Sequence, residues 1–276
     1  MTPTRTPAAR PVGWSAADTE EVVCCLCGVS GRRTRTVGIF GVVRCPTCDL
    51  VFTSPRLRPD ALQRLYDDAG YFEGRIDGSG GRFSPATVLP RIWTGGRLRL
   101  IDRVRGRGPG GRLLEVGAAY GLFLDAARSA GWTTSGVELS RTAAEHARRD
   151  LGLDVFNGPL TEAPITPGVD VVCAWDTLEH VPDPLAFLRA VRALVADDGV
   201  VVLSTPSVAS VPARLLGSRW WTLKPAEHIW HFTPRSHAVL AARAGLAVTQ
   251  VLRSPLSSAN ALRTDSLVVV ARPIPG

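Results

Sequence analysis

Lysine and methionine are almost absent from this sequence, and tyrosine is scarce. Lys224 is the only lysine among 32 basic residues, so arginine carries nearly all of the positive charge behind the formal net charge of +7. This arginine excess, with 27 glycines and 21 prolines, indicates a GC-rich coding bias before it indicates nucleic-acid binding. The charge still permits an anionic substrate. The run RLRLIDRVRGRG (97–108) predicts mostly the solvated face of a helix, with one or two arginines available to a phosphate.

Long hydrophobic runs are also missing. No apolar segment reaches the roughly 18–20 residues that span a bilayer. The first residues, MTPTRTPAARPVG, have no apolar core after their basic residues, so they do not predict a secretory signal. We therefore expect a cytoplasmic protein without a membrane segment. A chain of 276 residues with 45% hydrophobic and 21% charged residues has room for one full α/β domain and a smaller module.

Four of the six cysteines form two Cys-x-x-Cys pairs. Cys24 and Cys27 make the first pair, and Cys45 and Cys48 make the second. Two such turns hold four thiolates in the tetrahedron that Zn²⁺ prefers, and the intervening GRRTRTVGIFGVVR has a hairpin pattern. The sequence therefore predicts a structural zinc ribbon. Cys25 lies beside a ligand, but the paired spacing favours Cys24, and disulfide or redox chemistry is the alternative.

The segment LLEVGAAYG (113–121) predicts a buried strand that turns into a helix on small residues. Gly117, Ala119 and Gly121 let the backbone approach a ligand closely, and the helix start aims its N–H groups at that ligand. The spacing differs from the dinucleotide-binding G-x-G-x-x-G. Glu138 ends the next strand, TTSGVELS, where a carboxylate can hold ribose hydroxyls.

Strands and helices alternate from this turn onward. Further strands are predicted at LDVFN, VDVVCAW, GVVVLSTPS, AVTQVLRS and SLVVVARP. The alternation predicts an α/β fold whose mostly parallel sheet has helices on both faces. Ligands of such sheets bind at the carboxyl ends of the strands. The residues expected there are Glu115, Gly117, Glu138, Leu160, Asp176 and His180.

The motifs EVGAAYG, GVELS, VVCAWDTLEHVPDP and GVVVLSTPS together resemble those of the class I S-adenosylmethionine (SAM)-dependent methyltransferases. The resemblance runs from about Leu113 to the end of the sequence. It implies a Rossmann-like seven-stranded sheet, mostly parallel with the last strand antiparallel, after a small N-terminal zinc ribbon. The SAM contacts that it implies are Glu115, Gly117, Ala119, Gly121, Glu138, Leu139, Leu160, Trp175 and Asp176. Pro159 stands where the family usually has an aspartate beside adenine, which leaves adenine to the backbone and packing of Leu160.

A long insertion (206–234) separates the fifth strand from the last helix, and insertions of this length usually have a function. Its Glu227–His228 pair resembles a Glu-His pair in the active site of deoxysugar C-methyltransferases, a group in which similar zinc ribbons precede the catalytic domain. The resemblance implies that His228 is the base and that Glu227 orients it, with His180 of the LEHV turn as the alternative base. Tyr71, beside a Gly-rich loop, is a candidate hydrogen-bonding partner of the substrate, or else a residue of the seam between ribbon and core.

The predicted organisation is a disordered tail (1–20), a zinc ribbon (21–56), a helical linker or lid (57–110) and a methyltransferase domain (111–276). The expected function is methyl transfer from SAM to carbon or oxygen of a small molecule, such as a nucleotide sugar or another specialised metabolite, by a monomer or homodimer. An RNA methyltransferase that grips its substrate with the ribbon is one alternative. The ribbon has few aromatics for base stacking, and no N/D-P-P-Y motif follows the fourth strand. The second alternative is a SAM-binding partner protein without catalysis.

Overall fold

A computed structural model describes residues 13–67, 85–106, 108, 110–253 and 265–275. The N-terminal part contains five short strands and two helices. The strands are β1 (Thr19–Glu20), β2 (Arg32–Val37), β3 (Phe40–Arg44), β4 (Val51–Thr53) and β5 (Arg56–Leu57). The helices are α1 (Pro59–Asp67) and α2 (Pro85–Arg105).

The larger part of the chain is an alternating α/β unit. Its strands are β6 (Arg112–Val116), β7 (Thr133–Glu138), β8 (Val155–Asn157), β9 (Val169–Trp175), β10 (Val195–Pro206), β11 (Trp230–His231), β12 (Leu246–Arg253) and β13 (Ser266–Pro273). Its helices are α3 (Leu122–Ser129), α4 (Arg141–Arg149), α5 (Pro184–Leu194), α6 (Val211–Leu216) and α7 (Pro234–Arg243).

Seven of these strands form one sheet in the order β12-β13-β10-β9-β6-β7-β8. The strands β10, β9, β6, β7 and β8 are parallel to one another, whereas β13 is antiparallel to both β10 and β12. Among the parallel strands, β9 and the second half of β10 are nearly continuous apolar runs, which is typical of strands covered by helices on both faces. The predicted fold class is therefore confirmed. Strand order reverses beside β6, and ligands of open α/β sheets bind at this point.

The predicted hairpin is also present, and the sheet that contains it extends further than the sequence indicates. Strands β2, β3 and β4 form an antiparallel sheet whose outer neighbour is β11, from the insertion. Trp230 pairs with Phe52 and His231 pairs with Val51, and the rings of Phe52 and Trp230 lie 5.6 Å apart. The ribbon and the insertion are therefore one continuous piece of structure.

The structure describes parts of two predicted segments, the N-terminal tail and the linker or lid. The tail predicted over 1–20 is too long, because β1 pairs with β5 through Thr19 and Glu20. A 3-10 turn at Ala16–Asp18, capped by Ser15 and Asp18, precedes that strand. The predicted linker or lid (57–110) is described only in part, through α1 and α2, whereas Tyr71 and the Gly-rich loop after it lie outside the described residues. Among the helices that the structure describes, none is both long and apolar enough to cross a bilayer.

Candidate active site

The turn between β6 and α3 has the backbone geometry that its small residues predict. Gly117 has φ +78°, and a Cβ atom there would lie 2.4 Å from Oγ1 of Thr177. Ala119 and Gly121 also have positive φ, at 48° and 82°. The left-handed backbone at these positions favours small residues, and a larger side chain at Gly117 would clash. The N–H groups of this turn are largely bonded within the protein, since those of Gly117 and Ala118 donate to the Val137 carbonyl.

Glu138 connects this turn to the end of β7. Its Oε2 accepts a hydrogen bond from the Ala119 N–H at 2.7 Å, and its Oε1 accepts one from the Ser140 N–H at 2.8 Å. Burial raises the pKa of Glu138, opposed by the N–H groups of Ser140 and Ala119. The structure thus places the carboxylate beside the turn, where the sequence expects a ribose-binding group.

An arginine lies buried below the Trp175–Asp176 turn, although the sequence predicts a solvated face for its segment. Arg97 of α2 is 3% exposed. Its guanidinium carbon is 4.2 Å from the centre of the Trp175 ring, and its Nη2 is 3.7 Å from Oδ2 of Asp176. The helical spacing of the sequence could have predicted this burial, because Arg97 shares a helical face with the apolar Ile101 and Val104, both of which are buried.

Arg97 and Glu115 are buried charged residues at this edge of the sheet, and the half-buried Asp176 lies beside Arg97. Burial lowers the pKa of Arg97 to about 9, while Asp176 and Glu115 oppose the shift. Burial likewise raises the pKa of Glu115 to about 8, against the effect of Arg97. Asp176 has positive φ and accepts a hydrogen bond from Oγ of Ser204 at 3.0 Å. The strand ends therefore concentrate ionisable groups with shifted pKa values, as functional sites often do.

The two leucines expected to contact SAM, of which Leu160 is assigned to adenine, lie after β7 and β8. Leu139 follows β7 and is exposed, whereas Leu160 is buried at the start of a 3-10 turn (Leu160–Glu162) after β8. Asn157 donates through Nδ2 to the carbonyl oxygens of Glu138 and Leu139 at 2.9 and 3.0 Å. This bond ties the segment after β7 to the end of β8.

The structure brings the two candidate bases together. The rings of His180 and His228 are 4.7 Å apart and nearly perpendicular, at 88°. Nδ1 of His228 lies 2.7 Å from the carbonyl oxygen of Thr222. Because a carbonyl only accepts, Nδ1 carries the proton and Nε2 carries the lone pair. Burial holds the pKa of His228 well below its usual value, with smaller contributions from His180 and His231.

Hydrogen bonds to backbone carbonyl groups fix the insertion between the LEHV turn and the ribbon. The Ile229 N–H donates to the Glu179 carbonyl at 2.9 Å, and Nε1 of Trp230 donates to the Val181 carbonyl at 2.8 Å. On the other side, the Thr53 N–H donates to the Ile229 carbonyl at 2.9 Å, and Oγ1 of Thr53 donates to the His228 carbonyl at 3.3 Å. His228 thus lies between two elements of different sheets.

The residues around His228 differ in placement from the sequence-based expectation. Glu227 forms an ion pair with Lys224, at 3.6 Å between Oε2 and Nζ. The atom that engages Nδ1 of His228 is the Thr222 carbonyl oxygen. Oγ1 of Thr222 donates in turn to Oδ2 of Asp265 at 2.6 Å. Sequence reasoning missed Thr222 and Asp265 because one acts through its backbone and the other belongs to no motif.

Two groups among the described residues could hold a metal ion. The sulfur atoms of Cys24, Cys27, Cys45 and Cys48 all lie within 4.8 Å of one another. The ligand atoms of Glu179, His180 and His228 meet the same limit. The four-thiol group fits Zn²⁺ best, since it supplies a complete tetrahedral ligand set.

The two cysteine turns have matching backbones. The Cys24 N–H donates to the Val29 carbonyl, and the Cys45 N–H donates to the Leu50 carbonyl, both at 2.9 Å. Gly28 and Asp49 occupy equivalent positions with φ of 66° and 62°. Burial opposes ionisation of Cys45, but N–H groups of Cys48 and Thr47 outweigh it and lower the pKa of Cys45 to about 7. This thiol is therefore prepared to act as a thiolate ligand.

Comparison with known proteins agrees with this geometry. The family model described as "Methyltransferase domain" matches residues 89–251, which is more than half of the chain. The chain therefore belongs to the family of SAM-dependent methyltransferase domains. Its curated relatives include the ubiquinone biosynthesis O-methyltransferases of Caulobacter sp. (33% identical over 141 residues, 45% of this chain and 55% of the relative) and Thiobacillus denitrificans (37% over 116 residues, 40% and 50%). The chain spans about half the length of these relatives.

Solved structures show the same fold at low sequence identity. One is the 1,6-didemethyltoxoflavin-N1-methyltransferase of Burkholderia thailandensis, with a TM-score of 0.57 and 18% identity, covering 88% of this chain and 99% of that one. Another is the magnesium protoporphyrin IX methyltransferase of Synechocystis, with a TM-score of 0.56 and 15% identity, covering 78% and 99%. At these identities the likeness concerns the fold alone.

Proposed function

We propose that this protein transfers a methyl group from SAM to an oxygen atom of a small molecule. The observation that carries the proposal is the His180–His228 pair at the carboxyl ends of the strands, beside the Trp175–Asp176 turn. The names of the curated relatives favour oxygen as the acceptor atom. Carbon methylation of a nucleotide sugar, which the resemblance to deoxysugar C-methyltransferases implies, is the second candidate because of the preceding cysteine cluster.

SAM binds along the turn after β6 in this proposal. The small residues Gly117, Ala119 and Gly121 let the backbone approach the methionine part, and Glu138 holds the ribose hydroxyls. The Trp175–Asp176 turn lies below the sulfonium. Positive φ at these turns and the position of the Glu138 carboxylate support this arrangement. Zinc, bound by the four cysteines, supplies structural cross-linking of the ribbon.

The acceptor must lose a proton while it attacks the methyl group. Its oxygen forms a bond to the methyl carbon, the carbon–sulfur bond breaks, and sulfur keeps the electron pair. Nε2 of His228 takes the hydroxyl proton, because Nδ1 already donates to Thr222. The low pKa of His228 keeps its imidazole neutral near pH 7, so this nitrogen is available as a base.

Replacing His228 by alanine tests the proposal. A base that acts only during proton removal matters to turnover and little to SAM affinity. We expect His228→Ala to lower the methylation rate by roughly 10²–10⁴-fold, with nearly unchanged SAM affinity by calorimetry. The assay uses labelled SAM with a panel of small phenols and nucleotide sugars.

His180→Ala is the comparison, because both rings share one site. Loss of turnover in His180→Ala, with His228→Ala within a few-fold of the wild type, would assign the base to the LEHV turn. Intact SAM binding with no transfer to any acceptor of the panel would favour the non-catalytic partner protein. Methylation of RNA in place of small molecules would favour the RNA methyltransferase.

A further inference from the structure

Asp265 lies at the point where β13 begins, beside the carboxyl end of β10, and its side chain is 1% exposed. Its carbonyl oxygen accepts from the Ser207 N–H at 2.8 Å, which ties it to the end of β10. Its Oδ2 accepts two short hydrogen bonds, from Nε1 of Trp220 at 2.7 Å and from Oγ1 of Thr222 at 2.6 Å. Asp265, bonded to the end of β10 through its backbone, therefore holds the insertion through hydrogen bonds from two of its residues, Trp220 and Thr222.

Thr222 passes this constraint on to the candidate base. Its side chain is held by Asp265, and its carbonyl oxygen accepts from Nδ1 of His228 at 2.7 Å. The same carbonyl accepts from the Lys224 N–H at 3.0 Å, and the Lys224 carbonyl accepts from the His228 N–H at 2.7 Å. The turn from Thr222 to His228 is thus closed by its own backbone, and Asp265 fixes how it sits on the sheet.

We infer that Asp265 is a positioning residue for His228 and acts through Thr222. The inference rests on the proposed function, in which Nε2 of His228 takes the acceptor's proton. A base, its hydrogen-bonded orienting group and a buried carboxylate behind that group form the arrangement that activates nucleophiles in many enzymes. Here a threonine stands between carboxylate and imidazole. The carboxylate fixes the threonine, and the threonine carbonyl fixes the tautomer.

Placement favours Asp265 over Glu227 for this role. The Glu227 side chain is 19% exposed and forms an ion pair with Lys224, whose side chain is 42% exposed. Asp265 is buried and directly precedes β13 of the seven-stranded sheet, the same sheet whose strand β9 leads into the Trp175–Asp176 turn. A base anchored to this framework keeps its distance to the methyl donor, and an error of about 1 Å in such a distance can cost 10²-fold in rate.

The test compares Thr222→Val with Thr222→Ser, because the two variants differ in the hydroxyl that Asp265 accepts from. We expect Thr222→Val to lower kcat by roughly 10–100-fold, with KM and SAM affinity within about twofold. Thr222→Ser should stay within about threefold of the wild type. Asp265→Asn should resemble Thr222→Val, and the double variant should be no slower than either single one. Thr133, exposed at the start of β7 on the opposite edge of the sheet, provides the matched control pair Thr133→Val and Thr133→Ser.

Nitrogen NMR of histidine-labelled protein gives a readout that does not depend on activity. The His228 signals, assigned by their loss in His228→Ala, should show a protonated Nδ1 in the wild type and in Thr222→Ser. In Thr222→Val and Asp265→Asn the Nε2-protonated tautomer should become populated. A role limited to folding would change the melting temperature without changing this tautomer ratio.

Three results would overturn the inference: Thr222→Val with wild-type kcat and tautomer, Thr222→Ser as slow as Thr222→Val, or Glu227→Gln slower than both. These results are distinct from failure of the proposed function. If His228→Ala retains turnover, then the base is elsewhere. If His228→Ala is inactive while Thr222→Val and Asp265→Asn are not, only the role of Asp265 is wrong.

Discussion

Glu138 combines two tasks at the residue scale, because its carboxylate braces the turn and faces the expected ribose site. Both oxygens accept a backbone N–H, from Ala119 and Ser140, and each keeps a further lone pair that can accept a ribose hydroxyl. We expect Glu138→Ala to weaken SAM binding by about 1–3 kcal/mol, measured by calorimetry. Glu145→Ala, on the surface of α4, is the control. Unchanged affinity in Glu138→Ala, or tight NAD binding by the wild type, would refute the cofactor assignment.

Three buried histidines make stability depend on pH. Burial lowers the pKa of His231 to about 4, that of His237 to about 3, and that of His228 well below 6.5. Below pH 6.5 the unfolded chain binds protons at these sites and the folded chain does not. The free energy of unfolding should therefore fall as the pH drops from 6.5 towards 4, by about 1.4 kcal/mol per pH unit for each histidine.

Urea unfolding at pH 6.5, 5.5 and 4.5 measures this slope. His237→Gln removes one of the three histidines. Its free energy of unfolding should therefore change with pH by about 1.4 kcal/mol per pH unit less than that of the wild type. If zinc is bound, its release in acid would affect both proteins equally and would leave this difference unchanged. Equal slopes in the two proteins would contradict the assignment of His237 as a histidine that stays neutral when folded.

Residue type and spacing predicted some site residues and could not predict others. The paired spacing selected Cys24 over Cys25, and the structure places Cys24 in the sulfur cluster. Arg97 could have been recognised by its apolar helix face, but an arginine-rich run hides one buried member. Thr222 acts through a carbonyl oxygen that every residue has, so its identity gave no signal.

At the scale of single elements, the turn after β6 has glycines that no larger residue can replace without a clash, and Gly117 is the clearer test. Gly117→Ala meets two costs: a left-handed φ, worth roughly 1–2 kcal/mol, and a clash of Cβ with Thr177 Oγ1 at 2.4 Å. Gly131→Ala, with φ +96° and no atom within 4 Å of the added Cβ, has only the first cost. We expect Gly117→Ala to unfold at lower temperature than Gly131→Ala and to lose SAM binding, which Gly131→Ala should keep. Equal behaviour in calorimetry and thermal unfolding would show that close packing at the turn is unimportant.

Sequence patterns predicted the long elements and missed the short one that matters most for the insertion. Strands β6 and β9 and the second half of β10 are largely apolar runs with a clear end. Strand β11 is only two residues long, Trp230–His231, which is too short to show a period. Its partner β4 is distant in sequence, so no local pattern could reveal their pairing.

At the scale of the whole molecule, the pairing of β4 with β11 joins the ribbon to the insertion that carries His228. We therefore expect loss of zinc from the ribbon to lower turnover. We expect about one zinc per chain by elemental analysis, lost in Cys45→Ser and kept in Cys25→Ser, whose thiol is outside the cluster. SAM affinity should remain, because the turn after β6 belongs to the other sheet. Turnover should fall in Cys45→Ser, because β4 supports the residues around His228.

Other metal contents would change this interpretation. A wild-type protein that is metal-free and contains a disulfide between the two cysteine pairs would refute the zinc ribbon. Full turnover in zinc-free Cys45→Ser would show that the ribbon does not support His228. A metal ion that persists in Cys45→Ser would indicate occupation of the group formed by Glu179, His180 and His228.

The pairing of β4 with β11 also has a consequence for how the protein is made. Thr53 and His231, which meet at this edge, are 178 positions apart in the chain. At about 5–20 residues per second of synthesis, the ribosome needs roughly 10–35 s to add the segment between them. During that time β4 can pair only with β3, so the edge that β11 later covers, at Val51 and Phe52, has no partner strand, although both residues are buried in the finished protein. The nascent chain therefore exposes an apolar strand edge, open to pairing with other chains, that disappears only when the insertion has been synthesised.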